Sequence, residues 1–301
     1  MKTTPYTFVG IGEILWDLFP NDKRLGGAPA NFTYFANVLG NHGIVVSRIG
    51  DDNLGNELRA KMQDLGLTPE YLQIDTKYPT GVVNVTFTSA GQPDYSIKKN
   101  VAWDFLEWNL YLEQLANKTD VVCFGTLGQR SRQSSQTIRR FLKNTRENAL
   151  RVFDVNLRQL YYSAEVLLES LALSQVVKLS EKELWTLVKI LHLKKDQEAD
   201  LAQQLIRIFD LSLVCITRGA CGSLLVSKSE VDEYPGIEVK VQDTVGAGDA
   251  FTAAVAHHCL RGSNLKIINE VANRLGAYVV SKAGATPVVE NELIEEIALC
   301  D

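Results

Sequence analysis

The chain has 301 residues, of which 46% are apolar, and its 31 basic and 36 acidic side chains leave a formal net charge of −5. That apolar fraction excludes a disordered chain and suits one large α/β domain or two smaller ones. No basic block offers itself to nucleic-acid phosphates, and neither a leader segment nor an apolar run long enough to cross a bilayer is expected.

In chain order, short apolar runs alternate with longer amphipathic segments. Strands are predicted at Phe8–Leu15, Ile44–Ile49, Asp120–Phe124, Val152–Val155, Val176–Leu179 and Leu213–Thr217. Several are almost continuously apolar, the pattern of strands covered on both faces. Helices are predicted at Pro29–Leu39, Leu54–Leu65, Ser134–Glu147, Ala164–Leu173, Glu181–Leu191 and Asp196–Phe209, then at 248–260, 265–282 and 291–299. This alternation implies a mainly parallel sheet between two helical layers, a three-layer α/β fold. The stretch Thr80–Lys99 breaks the rhythm, because it alternates apolar and polar residues about a Gly-Gln-Pro turn. It reads as a β-hairpin, either on the edge of the main sheet or apart from it.

The cysteines Cys123, Cys215, Cys221, Cys259 and Cys300 are odd in number and form no Cys-x-x-Cys pair. Buried thiols in a reducing cytoplasm explain them better than disulfides or zinc. His257 and His258 are helix neighbours about 100° apart, a poor start for a metal site. Gly10-x-Gly12 lacks the third glycine of a dinucleotide fingerprint.

Two loops carry the chemistry. In Asp243-Thr-Val-Gly246-Ala247-Gly248-Asp249, glycines just before a helix would aim unpaired N–H groups and the positive end of the helix dipole at one spot. Asp249 is out of place beside a stored anion, but it makes sense as the base for a hydroxyl that attacks a phosphorus held by the loop. A Gly-rich turn with an acid in the first helical turn is the plainer alternative. In Leu25-Gly26-Gly27-Ala-Pro29-Ala-Asn31, paired glycines let backbone approach a ligand, and Asn31 can both donate to and accept from hydroxyls. A tight turn with Pro29 in the first helical turn is the alternative there.

The two loops together, about 220 residues apart and in this order, resemble the signatures of the PfkB (ribokinase-like) family of sugar and nucleoside kinases. The likeness spans essentially the whole chain, and the opening Gly12-Glu-Ile-Leu-Trp-Asp17-Leu-Phe-Pro20 is most similar to fructokinases. The resemblance implies one ribokinase-like domain over residues 1–301, with a small β-sheet lid formed by about 17–25 and 71–100. It implies ATP-dependent phosphorylation of a free sugar, D-fructose to fructose 6-phosphate. Ribokinase, 2-keto-3-deoxygluconate kinase and sugar-phosphate kinase are the alternatives inside the family. A non-catalytic sugar-binding regulator is the alternative outside catalysis.

By the same resemblance Asp249 is the base and the backbone of Gly246, Ala247 and Gly248 the anion hole, while Asp17, Gly27 and Asn31 hold sugar hydroxyls. Asp154-x-Asn156-x-Arg158 lines the site from a strand's carboxyl end, where open α/β sheets bind ligands, and strand alternation would point all three to one side. ATP would meet Thr217, Gly219 and Gly222 through its phosphates and Asn273 near the adenine. Where the family carries Asn-x-x-Glu this chain has Ser180-x-x-Glu183. Glu183 would touch magnesium through water and Ser180 the nucleotide, although Ser-x-x-Glu is also an ordinary capping box. Asp243, with carbonyls near Ala283–Ala285, would bind a monovalent cation, potassium. Lids of this kind pair between subunits in related kinases. Val83, Val85 and Phe87 leave one hairpin face needing cover, so a homodimer is expected.

Overall fold

The structure is a computed structural model that describes residues 5–20, 22–87, 93–194 and 196–298, so Cys300 and the hairpin turn at 88–92 lie outside it. A nine-stranded sheet forms the centre. In spatial order it runs β13 (Val231–Tyr234), β12 (Ser223–Ser227), β11 (Leu213–Thr217), β10 (Val176–Ser180), β9 (Leu150–Asp154), β8 (Val121–Gly125), β1 (Thr7–Ile11), β4 (His42–Gly50) and β5 (Leu72–Asp75). All neighbours from β11 to β5 pair in parallel, and β12 and β13 add an antiparallel edge.

The parallel strands are apolar on both faces because helices cover both. Phe8, Val45, Val152 and Val176 pack against α1 (Ala28–Val38), α2 (Asn53–Asp64), α8 (Ala247–Arg261), α9 (Leu265–Val280) and α10 (Asn291–Ala298). Their neighbours Val9, Val46, Phe153 and Val177 point the other way. They meet α3 (Leu110–Ala116), α4 (Arg132–Lys143), α5 (Ala164–Leu173), α6 (Glu181–Ile190) and α7 (Glu198–Phe209). This is the predicted three-layer arrangement. Among the described residues no helix is long and apolar enough to cross a membrane.

A second, four-stranded sheet has the order β3 (Asp22–Gly26), β2 (Leu15–Phe19), β6 (Gly81–Phe87) and β7 (Pro93–Ile97). The predicted strand Phe8–Leu15 is in fact split between the two sheets. Gly12 takes φ 151°, a conformation side-chain-bearing residues rarely adopt, and the chain turns there out of the large sheet. Residues 72–75, expected in the small sheet, instead pair with β4 at the edge of the large one. The apolar hairpin face is covered within the subunit. Val83 and Val85 are 5% and 2% exposed and pack with Leu15, Ile97, Val101, Trp103 and Leu127. The Phe87 side chain lies outside the described residues, and at Val83 and Val85 the face that motivated a homodimer is already covered within the subunit.

Candidate active site at the carboxyl ends of the strands

The two motif loops, more than 200 residues apart in sequence, meet. Gly27 starts α1 and Gly246 starts α8, and one turn into α1 the Asn31 Nδ2 donates to Asp249 Oδ2 over 2.8 Å. A hydrogen bond to an ionised group is worth about 1.5–3 kcal/mol. This one therefore fixes the carboxylate between the helices, and Asn31 Oδ1 stays buried with no protein partner. Gly246 has φ 83°, and a Cβ there would run into the Ala285 carbonyl, so only glycine makes this turn. No side chain caps α8, which leaves the N–H groups of its first turn pointing out of the helix end.

Asp249 is half-buried, and its carboxyl is pushed up to about 6. Burial is the main cause and the charge of Asp154 adds to it, while the Asn31 hydrogen bond, Lys178 and Arg158 pull the other way. A base should titrate near its working pH, and burial has moved this acid toward it. Asp249, Asp154, Asn156, Thr252, Cys123 and Pro29 line a narrow cavity at this point.

Asp154 ends β9 and faces Lys178, its register partner on β10. Lys178 Nζ donates to both carboxylate oxygens at 3.2 Å. The expected alternation from Asp154 to Arg158 does not hold, because the strand stops at Asp154 and Asn156 turns to φ 38°. Asn156 still reaches the cavity, while Arg158 is exposed, its charge acting on Glu13, Asp17 and Asp249.

Asp17 lies within β2, paired with Arg24 of β3. Its carboxyl is pushed up to about 6, mainly by burial, with Arg158 and Arg24 opposing and Asp243 adding. Sequence reasoning missed Glu13. It is 4% exposed, and burial pushes its carboxyl up to about 7 against its own N–H, the Arg158 charge and the Ala28 N–H. Glu13 thus supplies the acceptor at the start of α1 that Gly27 lacks. The available signal was an acid inside an otherwise apolar run, Phe8 to Trp16. Lys178 and Thr252 were likewise not singled out as site residues.

The remaining expected contacts are less open. Ser180 and Thr217 are register partners at the ends of β10 and β11. Ser180 and Glu183 do form the capping box, with Glu183 Oε2 accepting from Ser180 N at 2.7 Å and Oε1 from Leu157 N at 2.7 Å. The Gly219–Gly222 turn closes on itself through Arg218 N to Gly222 O at 2.8 Å. Asn273 is not a free surface amide, because its Nδ2 donates to Ser223 Oγ at 2.7 Å in a network with Asn269 and Asp232. Asp243 does lie beside residues 283–285, but its carboxylate accepts from the N–H groups of Val245 and Gly284 and pairs with Arg24 at 3.1 Å. His257 and His258 bond to Asn41 and to the Ile297 carbonyl, and no metal-binding group of three occurs among the described residues.

Comparison with known proteins gives the family. The sugar kinase PH1459 of Pyrococcus horikoshii is 31% identical over 91% of this chain and 90% of its own length. A fructokinase of Escherichia coli is 28% identical over 91% and 93%. The crystal structure of PH1459 in complex with ATP superposes with a TM-score of 0.82 at 26% identity, covering 97% of this chain and 98% of that one. The model of the pfkB family carbohydrate kinases matches residues 20–292, the span that holds both loops and the Asn31–Asp249 contact between them, and the chain belongs to that family.

Proposed function

We propose that this carbohydrate kinase transfers the γ-phosphoryl group of ATP to a hydroxyl of a free, uncharged sugar, converting D-fructose to fructose 6-phosphate. The observation that carries the reading is the Asn31–Asp249 hydrogen bond, which joins the sugar-side loop to a base at the uncapped start of α8. The sugar oxygen attacks the γ-phosphorus, its proton passes to the Asp249 carboxylate, and the bond to the ADP oxygen breaks. The N–H groups of Gly246, Ala247 and Gly248 take up the charge that develops on the transferring oxygens. Asp17, Gly27, Asn31 and Asn156 orient the hydroxyls, with Arg158 at the rim. Ser180, Thr217, Gly219, Gly222 and Asn273 define the nucleotide side.

Glu13, Asp17 and Asp249 gather around the charge of Arg158. Three acids against the guanidinium groups of Arg158 and Arg24, the latter already paired with Asp22 and Asp243, favour a neutral polyol over a sugar phosphate or a sugar acid. The E. coli and plant fructokinases among the relatives support fructose. Magnesium held mainly by phosphates and water needs few protein carboxylates, and Glu183, whose oxygens already accept from the N–H groups of Ser180 and Leu157, would meet it only through water. When bound, the ion neutralises the phosphates. Potassium at Asp243 fits poorly, because a guanidinium and two N–H groups already hold that carboxylate. The small sheet would act as a lid that excludes water. The free thiols of Cys123, Cys215, Cys221 and Cys259 suit a reducing cytoplasm. A coupled ADP-release assay over free and phosphorylated sugars tests the reading, with the highest kcat/KM expected for fructose. A preference for a phosphorylated sugar or a sugar acid would overturn the substrate and leave the chemistry standing.

A further inference from the structure

Beneath the 246–248 turn lies a buried ion pair that the two motif loops do not explain. Lys178 and Asp154 are 8% and 3% exposed. Thr252 Oγ1 sits 3.2 Å from Asp154 Oδ2 and 2.8 Å from the Gly248 carbonyl oxygen. Lys178 Nζ lies 2.8 Å from where a Cβ on Gly248 would stand. The pair therefore touches the turn both directly and through Thr252. Replacing a buried ion pair with apolar residues is often neutral or stabilising, so fold stability gives little reason to keep one. A turn where negative charge gathers during reaction does give a reason.

We propose that Lys178 is a positioning residue for phosphoryl transfer: clamped by Asp154 under Gly248, its ammonium holds the 246–248 turn and places positive charge behind the phosphoryl oxygens. This rests on the reading of that turn as the phosphate site. The groups facing Asp249 are Glu13 after β1, Asn31 on α1, Cys123 on β8, Asp154 on β9, Arg158 beyond it and Lys178 on β10. Glu183 on α6 acts on Lys178 in turn. Of the two cations in this set, only Lys178 is buried. Burial alone would lower its pKa, but the carboxylates of Asp154, Glu183 and Asp249 outweigh burial and raise it, so the ammonium persists at working pH.

The test compares Asp154→Asn with the double variant Asp154→Asn/Lys178→Met. Both lack the ion pair and neither leaves a buried carboxylate unpaired, but only the double variant lacks the cation. The double variant should show kcat about 10²-fold below Asp154→Asn, the usual effect of losing one stabilising group at a developing anion, with sugar KM within about threefold. The acid limb of its kcat/KM profile should lie at higher pH than that of Asp154→Asn, since Asp249 has lost a neighbouring positive charge. Equal kcat and superimposable pH profiles would reduce the pair to a structural clamp and overturn the proposal, as would a double variant that melts far below Asp154→Asn. Asp249→Asn, assayed alongside, separates the two readings. Full turnover there removes the base, whereas its loss together with indifference to Lys178 removes only this inference.

Discussion

Replacing Glu13 by Gln should stabilise the protein at neutral pH and above. The carboxyl is 4% exposed, and burial lifts it from 4.5 to about 7 in the folded state. The unfolded chain releases this proton near 4.5 and the folded chain holds it until about 7, so the folded state binds more protons between these values. Stability attributable to the protonated form is complete below 4.5 and is lost as pH rises to about 7, where the loss levels off. At about 1.4 kcal/mol per pH unit, the full effect is about 3 kcal/mol. Gln can still accept from the Ala28 N–H and carries no titrating group. With an unfolding entropy of about 2 cal/mol/K per residue, the melting temperature of Glu13→Gln relative to wild type should rise by about 5 °C between pH 4.5 and pH 8. Scanning calorimetry of both proteins across that range is the assay. Melting curves that stay parallel with pH would show that Glu13 is ionised at ordinary cost, and the account of its burial would fail.

Asp249→Asn should lower kcat by about 10²–10⁴, the usual loss for a positioned base, while sugar affinity by calorimetry stays within a few fold. In the wild-type enzyme, kcat/KM should fall tenfold per pH unit below about 6, where the Asp249 carboxyl is protonated and cannot accept the sugar's proton. A flat profile down to pH 5 would contradict the assignment. Gly248→Val should cost at least about 10²-fold in kcat, because its side chain would fill phosphate space and push Lys178 Nζ off Asp154. A folded variant with normal kcat would show that the turn cradles no phosphate. If the small sheet is a lid, sugar should slow hydrogen exchange in Thr80–Phe87 while leaving Val152–Val155 unchanged, since core strands already open rarely. Identical exchange with and without sugar would make the hairpin a fixed structural element.

Local pattern in the sequence determined much of this protein. The apolar runs at 120–124, 176–179 and 213–217 lie on the observed strands to within a residue or two, because burial on both faces leaves a continuous apolar signature that needs no partner to be read. Ala164–Leu173 was legible as an amphipathic segment, and in the structure Ser163 caps it, accepting from Val166 N at 3.2 Å. The glycines at 246 and 248 marked the turn at the start of α8, here proposed to hold phosphate, because backbone geometry is a local property. Tertiary structure alone decided the rest. Strand register set Lys178 against Asp154, and a pairing across strands leaves no trace in the spacing along either one. Packing buried Glu13 under α1 and spent Asn273 on Ser223 and Asn269, although both polar residues look free in the sequence. Val83 and Val85 alternate as strand residues should. Only the position of Trp103 and Leu127, brought in from other segments, shows that their exposed-looking face is already covered.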